Sequence, residues 1–439
     1  MSRNQFTWLS LILVLLLSLS AAAQGELVIL HTNDLHGQSL AQIASLVEKE
    51  RTLHPDLLLV DAGDLFSGTA VSFLFQGEAE QKAVLALGYD ALALGNHDFD
   101  FGREVLEESL AKGVPWLSGN IFCAEGYFAP PFLLKEISGV RILLVGLTTA
   151  ATPDMTLARN VEGLYFSDPR QALERILAEE EGNFDLCIVL SHLGYGEDLV
   201  LAAEVPGLTA IIGGHTHTKL DPAQVVGETI VAQTGSSGQY LGKIVISLEK
   251  DFPASGKLLR VEASTPRHPK IVKIDEHFAR LAEEEMGQVV GYARRDYVQR
   301  GLGHLLTAAL VDFSGADAAL YNSGGVRAGL KAGPVTKADI LAVEPFDNQA
   351  VVATIPGETF AELLKLRSQR RNDFFSGPKV VDLDREYTVA TSNFLIENSS
   401  YAPLLSSGQI NYLGLPVRQV LEYYLRDTVL ERERAVSSF

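Results

Sequence analysis

The sequence predicts a mixed α/β protein of layered sheets with helices outside, organised as two domains. Three observations predict it. Five apolar, β-prone runs each end in a short polar motif rich in Asp and His. Segments with helical apolar spacing lie between them, notably residues 40–50 (LAQIASLVEKE) and 168–180 (DPRQALERILAEE). A turn-rich stretch, residues 251–269, separates this alternation from a second α/β region.

The chain opens with a leader pattern. Arg3 is the one charged residue before Glu26, and an apolar run, LSLILVLLLSLS, leads to Ala21, Ala22 and Ala23. A positive start, a short apolar run and small residues read as a cleaved signal peptide over residues 1–23. The run is short for a membrane span, so an uncleaved anchor is the alternative. No Cys follows it and no second apolar tail stands near Phe439, which argues against lipid anchors. The expected location is periplasmic or secreted, with no stable membrane anchor after cleavage.

The first domain is expected over residues 24–265. GELVIL reads as a buried strand, and LHTNDLHG follows it. Side chains two apart on extended backbone point the same way, so Asp34 and His36 face one ion if the chain stays extended. His215 and His217 repeat that spacing after LTAIIGG. LLLVDAGD delivers Asp64, FDLCIVLSH delivers His192, and YDALALGNHD delivers Asn96, His97 and Asp98. Ligands in open α/β sheets sit at the carboxyl ends of strands. The ordinary reading of an Asp or His there is a turn, a cap or a packed ring, and Asp61, Asp90 and His31 are given that reading. The chain has ten histidines, and His36, His97, His192, His215 and His217 all fall in these motifs. That concentration favours a metal site.

Carboxylate, imidazole and Asn donors without Cys suit Zn, Mn, Fe or Co. A shared carboxylate can hold two such divalent ions about 3.5–4 Å apart, the separation used for in-line displacement at phosphorus. The net charge of −19 argues against a groove for a nucleic-acid polymer, which needs clustered Lys and Arg. It does not argue against a small phosphorylated substrate, because bound cations dominate the local field. Of the two cysteines, Cys187 lies in an apolar strand and reads as a buried thiol; pairing with Cys123 is the alternative.

Residues 266–287 are expected to be a linker, helical from Lys273 to Met286, with Gly287 ending the helix. The second domain is expected over residues 288–439. It carries YNSGGVR, EPFDN and TSNFL. Paired glycines let backbone amides approach an anion, and Arg327 offers a rigid fork. A pair of exposed Phe rings can sandwich a flat base, although a lone Phe is usually core.

With these motifs in order, the chain resembles the bacterial periplasmic 5′-nucleotidase/UDP-sugar hydrolases and the animal ecto-5′-nucleotidases. The resemblance implies a four-layer calcineurin-like metallophosphoesterase sandwich, two β-sheets flanked by helices, followed by an α/β 5′-nucleotidase C-terminal domain. It implies that Asp34, His36, Asp64 and His217 hold one metal ion. Asp64 bridges to a second, which Asn96, His192 and His215 also bind. It matches His97 and Asp100 to a catalytic pair acting beside a hydroxide shared by the ions. Asn322, Gly324, Gly325 and Arg327 match a substrate loop, and Phe346, Asn348 and Phe394 match the base-stacking segments. The implied activity is release of phosphate from nucleoside monophosphates in nucleotide catabolism, with closure by a domain rotation. Two departures stand out. Asn398, Ser399, Ser400 and Tyr401 replace a Gly-Gly-Asp-Gly stretch and its ribose-binding Asp. Arg295 and Arg300 lie near the family's earlier phosphate-binding arginines but out of register. A related hydrolase of 2′,3′-cyclic nucleotides, UDP-sugars or sulfur esters is the alternative activity. A non-catalytic nucleotide-binding protein is the other, and it conflicts with the intact ligand set.

Overall fold

The computed structural model describes residues 25–248, 252–346 and 348–436. The expected signal peptide lies outside the described residues. The amino-terminal half is built on two six-stranded sheets. In the first, Glu26–Thr32, Leu58–Asp61, Ala91–Ala93 and Trp116–Leu117 run parallel, flanked on one side by Tyr240–Ser247 and Ala254–Arg260. In the second, Thr229–Ala232, Ala210–Gly213, Leu186–His192 and Val140–Thr148 run parallel. Its edges are the antiparallel strands Gln224–Val226 and Phe132–Ile137.

The two-residue period of a strand explains the layering. Leu27, Ile29, Leu58 and Val60 turn inward and meet Ile142, Leu144, Ile188 and Leu190 of the other sheet. Val28, Leu30 and Leu59 turn outward and pack under Ala44, Val47 and Val84 of the helices Ala41–Leu53 and Glu78–Leu87. Leu143, Val145, Cys187 and Val189 do the same under Leu173, Ile176 and Leu201 of the helices Pro169–Glu179 and Tyr195–Glu204. The result is the four-layer helix–sheet–sheet–helix sandwich. Full burial of each such aliphatic side chain contributes about 1.5–3 kcal/mol.

Local signals set the helix starts. Asp168 accepts a hydrogen bond from the Gln171 amide while Pro169 takes the first helical position. The stretch expected to be a boundary contains a strand instead. Ala254–Arg260 hydrogen-bonds along Tyr240–Ser247 and extends the first sheet. The linker helix begins earlier than Lys273, at Pro269, and runs to Met286. Its Ile271 enters the first core, and its Phe278 packs edge-on against Phe75 at 5.0 Å. Cys123 and Cys187 are both free.

The carboxyl-terminal half has one five-stranded sheet in the order Phe374–Ser376, Ala318–Tyr321, Glu386–Ser392, Gln349–Pro356, Gln409–Pro416. Helices Gln299–Ser314 and Val417–Val436 cover one face through Leu302, Leu306, Val420 and Leu421. Helix Gly357–Gln369 covers the other through Phe360 and Leu363. Among the described residues, no helix is long and apolar enough to cross a membrane.

Candidate functional site

The five motifs do converge at carboxyl ends of parallel strands, three from the first sheet and two from the second. The backbone there is not extended as the two-residue spacing suggested. Asp34, His36, Asp64, His215 and His217 all have positive φ, at 50°, 48°, 58°, 74° and 53°. The reason lies in the hydrogen bonding. Past Thr32 the chain no longer extends the ladder. Instead the Asp34, His36 and Gly37 amides donate to the carbonyls of Gly63, Asp64 and Leu65. Two loops are zipped together, and left-handed residues re-aim the side chains. Non-glycine residues adopt this region rarely, and such strain clusters at functional sites.

The ligand atoms lie close together. His217 Nε2 is 3.3 Å from Asp34 Oδ1 and 3.1 Å from His36 Nε2. His192 Nε2 is 3.2 Å from Asp64 Oδ2, and His36 Nε2 is 3.9 Å from the same oxygen. Asn96 Oδ1 accepts from His215 Nδ1 at 2.9 Å. Two groups have donor atoms all within 4.8 Å of one another: Asp34, His36 and His217, and Asp34, Asp64 and His192. Asp34 is common to both.

His192 tests whether these residues suit a cation. Its Nδ1 donates to the Ala62 carbonyl at 2.7 Å, which turns Nε2 toward the Asp64 carboxylate. That Nε2 is fully buried and has no hydrogen-bond partner. Fixing one ring nitrogen by a carbonyl and aiming the other at an ion is how ligating histidines are held. Burial lowers the His192 pKa, but Asp64 and Asp34 outweigh it and hold it near 10. A proton therefore occupies the place where a cation would compete. His36 is pushed down to about 4 by burial, so its ring is neutral and ready to bind.

Several supporting residues stand inside the motifs but were assigned no role there. Asn33 Nδ2 donates to Asp34 Oδ2 at 2.6 Å and to the Gly235 carbonyl at 2.7 Å, fixing that carboxylate. Asp98 accepts from the amides of Asp64, Phe66 and Gly95, tying the Asp64 loop to the Gly95 loop. Burial pushes its pKa up to about 8. Gly95 leaves no room for a side chain, since a Cβ would stand 2.2 Å from Asp64 Oδ1. Asp61 takes the ordinary turn role, accepting from the Gly63 amide, whereas Asp90 is neither turn nor cap: it accepts from the Leu59 amide, 31 residues away, and pairs with Lys135. His31 is a neutral core ring whose pKa burial lowers to about 3.

His97 stands at the edge of this cluster. Its Nδ1 donates to Asp100 Oδ2 at 2.8 Å, and its amide donates to Asp64 Oδ1 at 2.8 Å. Ser67 Oγ donates to the same Asp100 oxygen at 2.7 Å. Burial opposes the charged ring, but Asp100 and Asp64 prevail, so its pKa lies above the ordinary value.

A cavity of about 880 Å³ opens from His97. Asn96, His97, Asp100 and His215 line it from the first half. Asn322, Gly324, Gly325, Arg327, Phe346, Asn348 and Phe394 line it from the second. The glycine-rich motif forms a short 3-10 turn, Ser323–Gly325. Phe346 meets Phe73 edge-on at 6.4 Å, and Asn348 Nδ2 donates to Glu344 Oε1 at 3.1 Å. Arg295 instead stacks over Tyr297. Arg159 and Arg418, which the sequence did not single out, line the cavity. In the departing loop, Asn398 Nδ2 donates to the Thr156 carbonyl at 2.6 Å, and the Tyr401 hydroxyl to Asp373 at 2.9 Å.

Comparison with known proteins agrees with this architecture. Residues 27–219 match the calcineurin-like phosphoesterase family, and residues 279–378 match the 5′-nucleotidase C-terminal domain. The chain is 29% identical to the trifunctional nucleotide phosphoesterase protein YfkN of Bacillus subtilis over 84% of its own length, though it spans 29% of that protein. It is 27% identical to the 5′-nucleotidase of Vibrio cholerae, covering 78% of this chain and 75% of the relative. A crystal structure of a 5′-nucleotidase precursor from Thermus thermophilus superposes with a TM-score of 0.81 at 26% identity, over 92% of this chain and 97% of the other. The chain belongs to the 5′-nucleotidase family of metallophosphoesterase hydrolases, with a calcineurin-like domain followed by a 5′-nucleotidase C-terminal domain.

Proposed function

We propose that the chain is an exported metal-dependent phosphohydrolase that releases phosphate from nucleoside 5′-monophosphates. One observation carries the reading: a single cavity runs from the Asp/His cluster to the aromatic and arginine side chains of the second half. In this reading Asp34, His36, Asp64 and His217 hold one divalent cation, and Asp64, Asn96, His192 and His215 hold the second. Bound cations of this kind supply charge for the phosphoryl oxygens and lower the pKa of a water.

The chain's own residues do the rest. The Asp100 carboxylate holds His97 charged and fixes Nδ1 as its donor, leaving Nε2–H for the phosphoryl group or the leaving oxygen. Arg327 and the glycine-rich turn hold the anionic end of the substrate. Its positive charge is felt at both His36 and His97, which supports a position near the reacting phosphate. Phe346 and Phe394 take the faces of the base, and Asn348 is set for its edge by Glu344.

Residues 398–401 favour keeping a second reading of the leaving group. Asn398 and Tyr401 are engaged with protein partners instead of presenting a carboxylate to a ribose. A 2′,3′-cyclic nucleotide, a UDP-sugar or a sulfur ester is the alternative substrate. The deciding experiment measures product release from AMP, a cyclic nucleotide and a UDP-sugar, with Mn, Co or Zn added to metal-stripped protein. Faster release from AMP supports the nucleotidase; no metal-dependent release from any of them overturns the phosphohydrolase reading. The mass of the mature amino terminus after secretion tests export.

A further inference from the structure

The Asn398 contact belongs to a chain of hydrogen bonds that crosses from one half to the other. Phe394 and Asn398 lie one turn apart, and the Asn398 amide closes that turn on the Phe394 carbonyl at 2.8 Å. Asn398 Nδ2 reaches the Thr156 carbonyl, 242 residues away in sequence. Asn160 Nδ2 donates to Thr156 Oγ1 at 3.2 Å and to the Asp100 carbonyl at 2.9 Å. Asp100 in turn holds His97. Thr156 and Asn160 are buried and also line the cavity, so the segment has little freedom to move independently of its partners.

We propose that Asn398 and Asn160 are positioning residues. Together they couple engagement of a large, flat leaving group at Phe394 to the placement of the His97–Asp100 pair. A substrate that reaches Phe394 orders the turn carrying Asn398. The donor of Asn398 then fixes the Thr156 segment, and Asn160 transmits that position to the Asp100 backbone. A small leaving group never touches Phe394 and draws nothing from the coupling. The inference rests on the phosphohydrolase reading and assigns specificity to two residues that act through others.

The test uses the full-length chain loaded with metal, assayed on AMP and on p-nitrophenyl phosphate. Asn398→Ala should lower kcat for AMP roughly 10–100-fold, the scale of a small misplacement at a reacting group, with little change in KM. The aryl phosphate rate should stay near that of the unmodified chain, which also reports that the variant folds. Asn398→Asp, of the same shape but without the donor, should behave like Asn398→Ala. Adding Asn160→Ala to Asn398→Ala should cost AMP turnover little beyond the single changes, as expected of residues acting in series. Equal loss on both substrates, no loss on AMP, or additive losses in the double variant overturns the coupling. If the unmodified chain hydrolyses the aryl phosphate but not AMP, the nucleoside reading and the coupling both fail. If it hydrolyses neither, the phosphohydrolase reading fails first.

Discussion

His97 Nδ1 and Asp100 Oδ2 are 2.8 Å apart, and Ser67 Oγ holds the same carboxylate oxygen from the other side. The imidazole is thus fixed in orientation by a group that is itself fixed. A ring fixed this way suits the proposed acid role at the phosphoryl group.

His97→Asn should therefore keep its metal content and a roughly normal KM, while kcat falls about 10²–10⁴-fold, the span of a positioned acid–base group. Metal analysis beside steady-state kinetics checks it. Loss of an ion would place His97 among the ligands.

The same pair sets a pH dependence. Burial lowers the His97 pKa, but Asp100 and Asp64 raise it further, so the charged ring persists above the ordinary value. The acid form is lost as pH rises through the raised pKa, which puts the falling limb of kcat on the alkaline side. Asp100→Asn removes the nearer negative charge and should move that limb to lower pH. A pH–kcat profile with an unmoved limb would assign the proton to another group.

Asp64 tests the centre itself. Its carboxylate faces His192 at 3.2 Å and His36 at 3.9 Å. Asp64→Asn should lose bound metal and nearly all turnover while the circular dichroism of the sandwich survives. Normal activity with two ions bound would remove Asp64 from the bridging role.

Phe394 tests the nucleoside end. Base–aromatic stacking is worth about 1–3 kcal/mol per base. Phe394→Ala should lower kcat/KM for AMP by that amount and leave a small aryl phosphate unaffected. Equal loss on both would make the ring a packing residue of the helix it sits on.

Much of this was legible in the sequence because the Asp and His motifs follow apolar runs that had to be strands. The alternation of Leu27, Val28, Ile29 and Leu30 between two cores follows directly from the strand period. Other features were not legible, for physical reasons. The left-handed backbone at Asp34 and His36 comes from hydrogen bonds to a loop about thirty residues away, and spacing carries no trace of them. Ala254–Arg260 lacks apolar alternation, and its partner strand, not its composition, makes it a strand. Asn33 and Asp98 stood inside quoted motifs, but their work is on neighbouring amides and carboxylates. Asn398 looked like a defect in a loop because its partner, Thr156, lies in the other half.

The position of the Asp/His cluster has a mechanical consequence. Asp34 and Asp64 follow strands of the first sheet, whereas His192 ends a strand of the second and His217 follows another. An ion held by Asp34 and His217, or by Asp64 and His192, would act as a rivet through two sheets that otherwise share apolar contact and a few hydrogen bonds such as His192 to Ala62. Neither sheet can then melt without releasing it. Ion at a hundredfold excess over its Kd adds about 2.7 kcal/mol to the folded state. Chelation should lower the unfolding temperature of the amino-terminal half as one cooperative block and spare the carboxyl-terminal sheet.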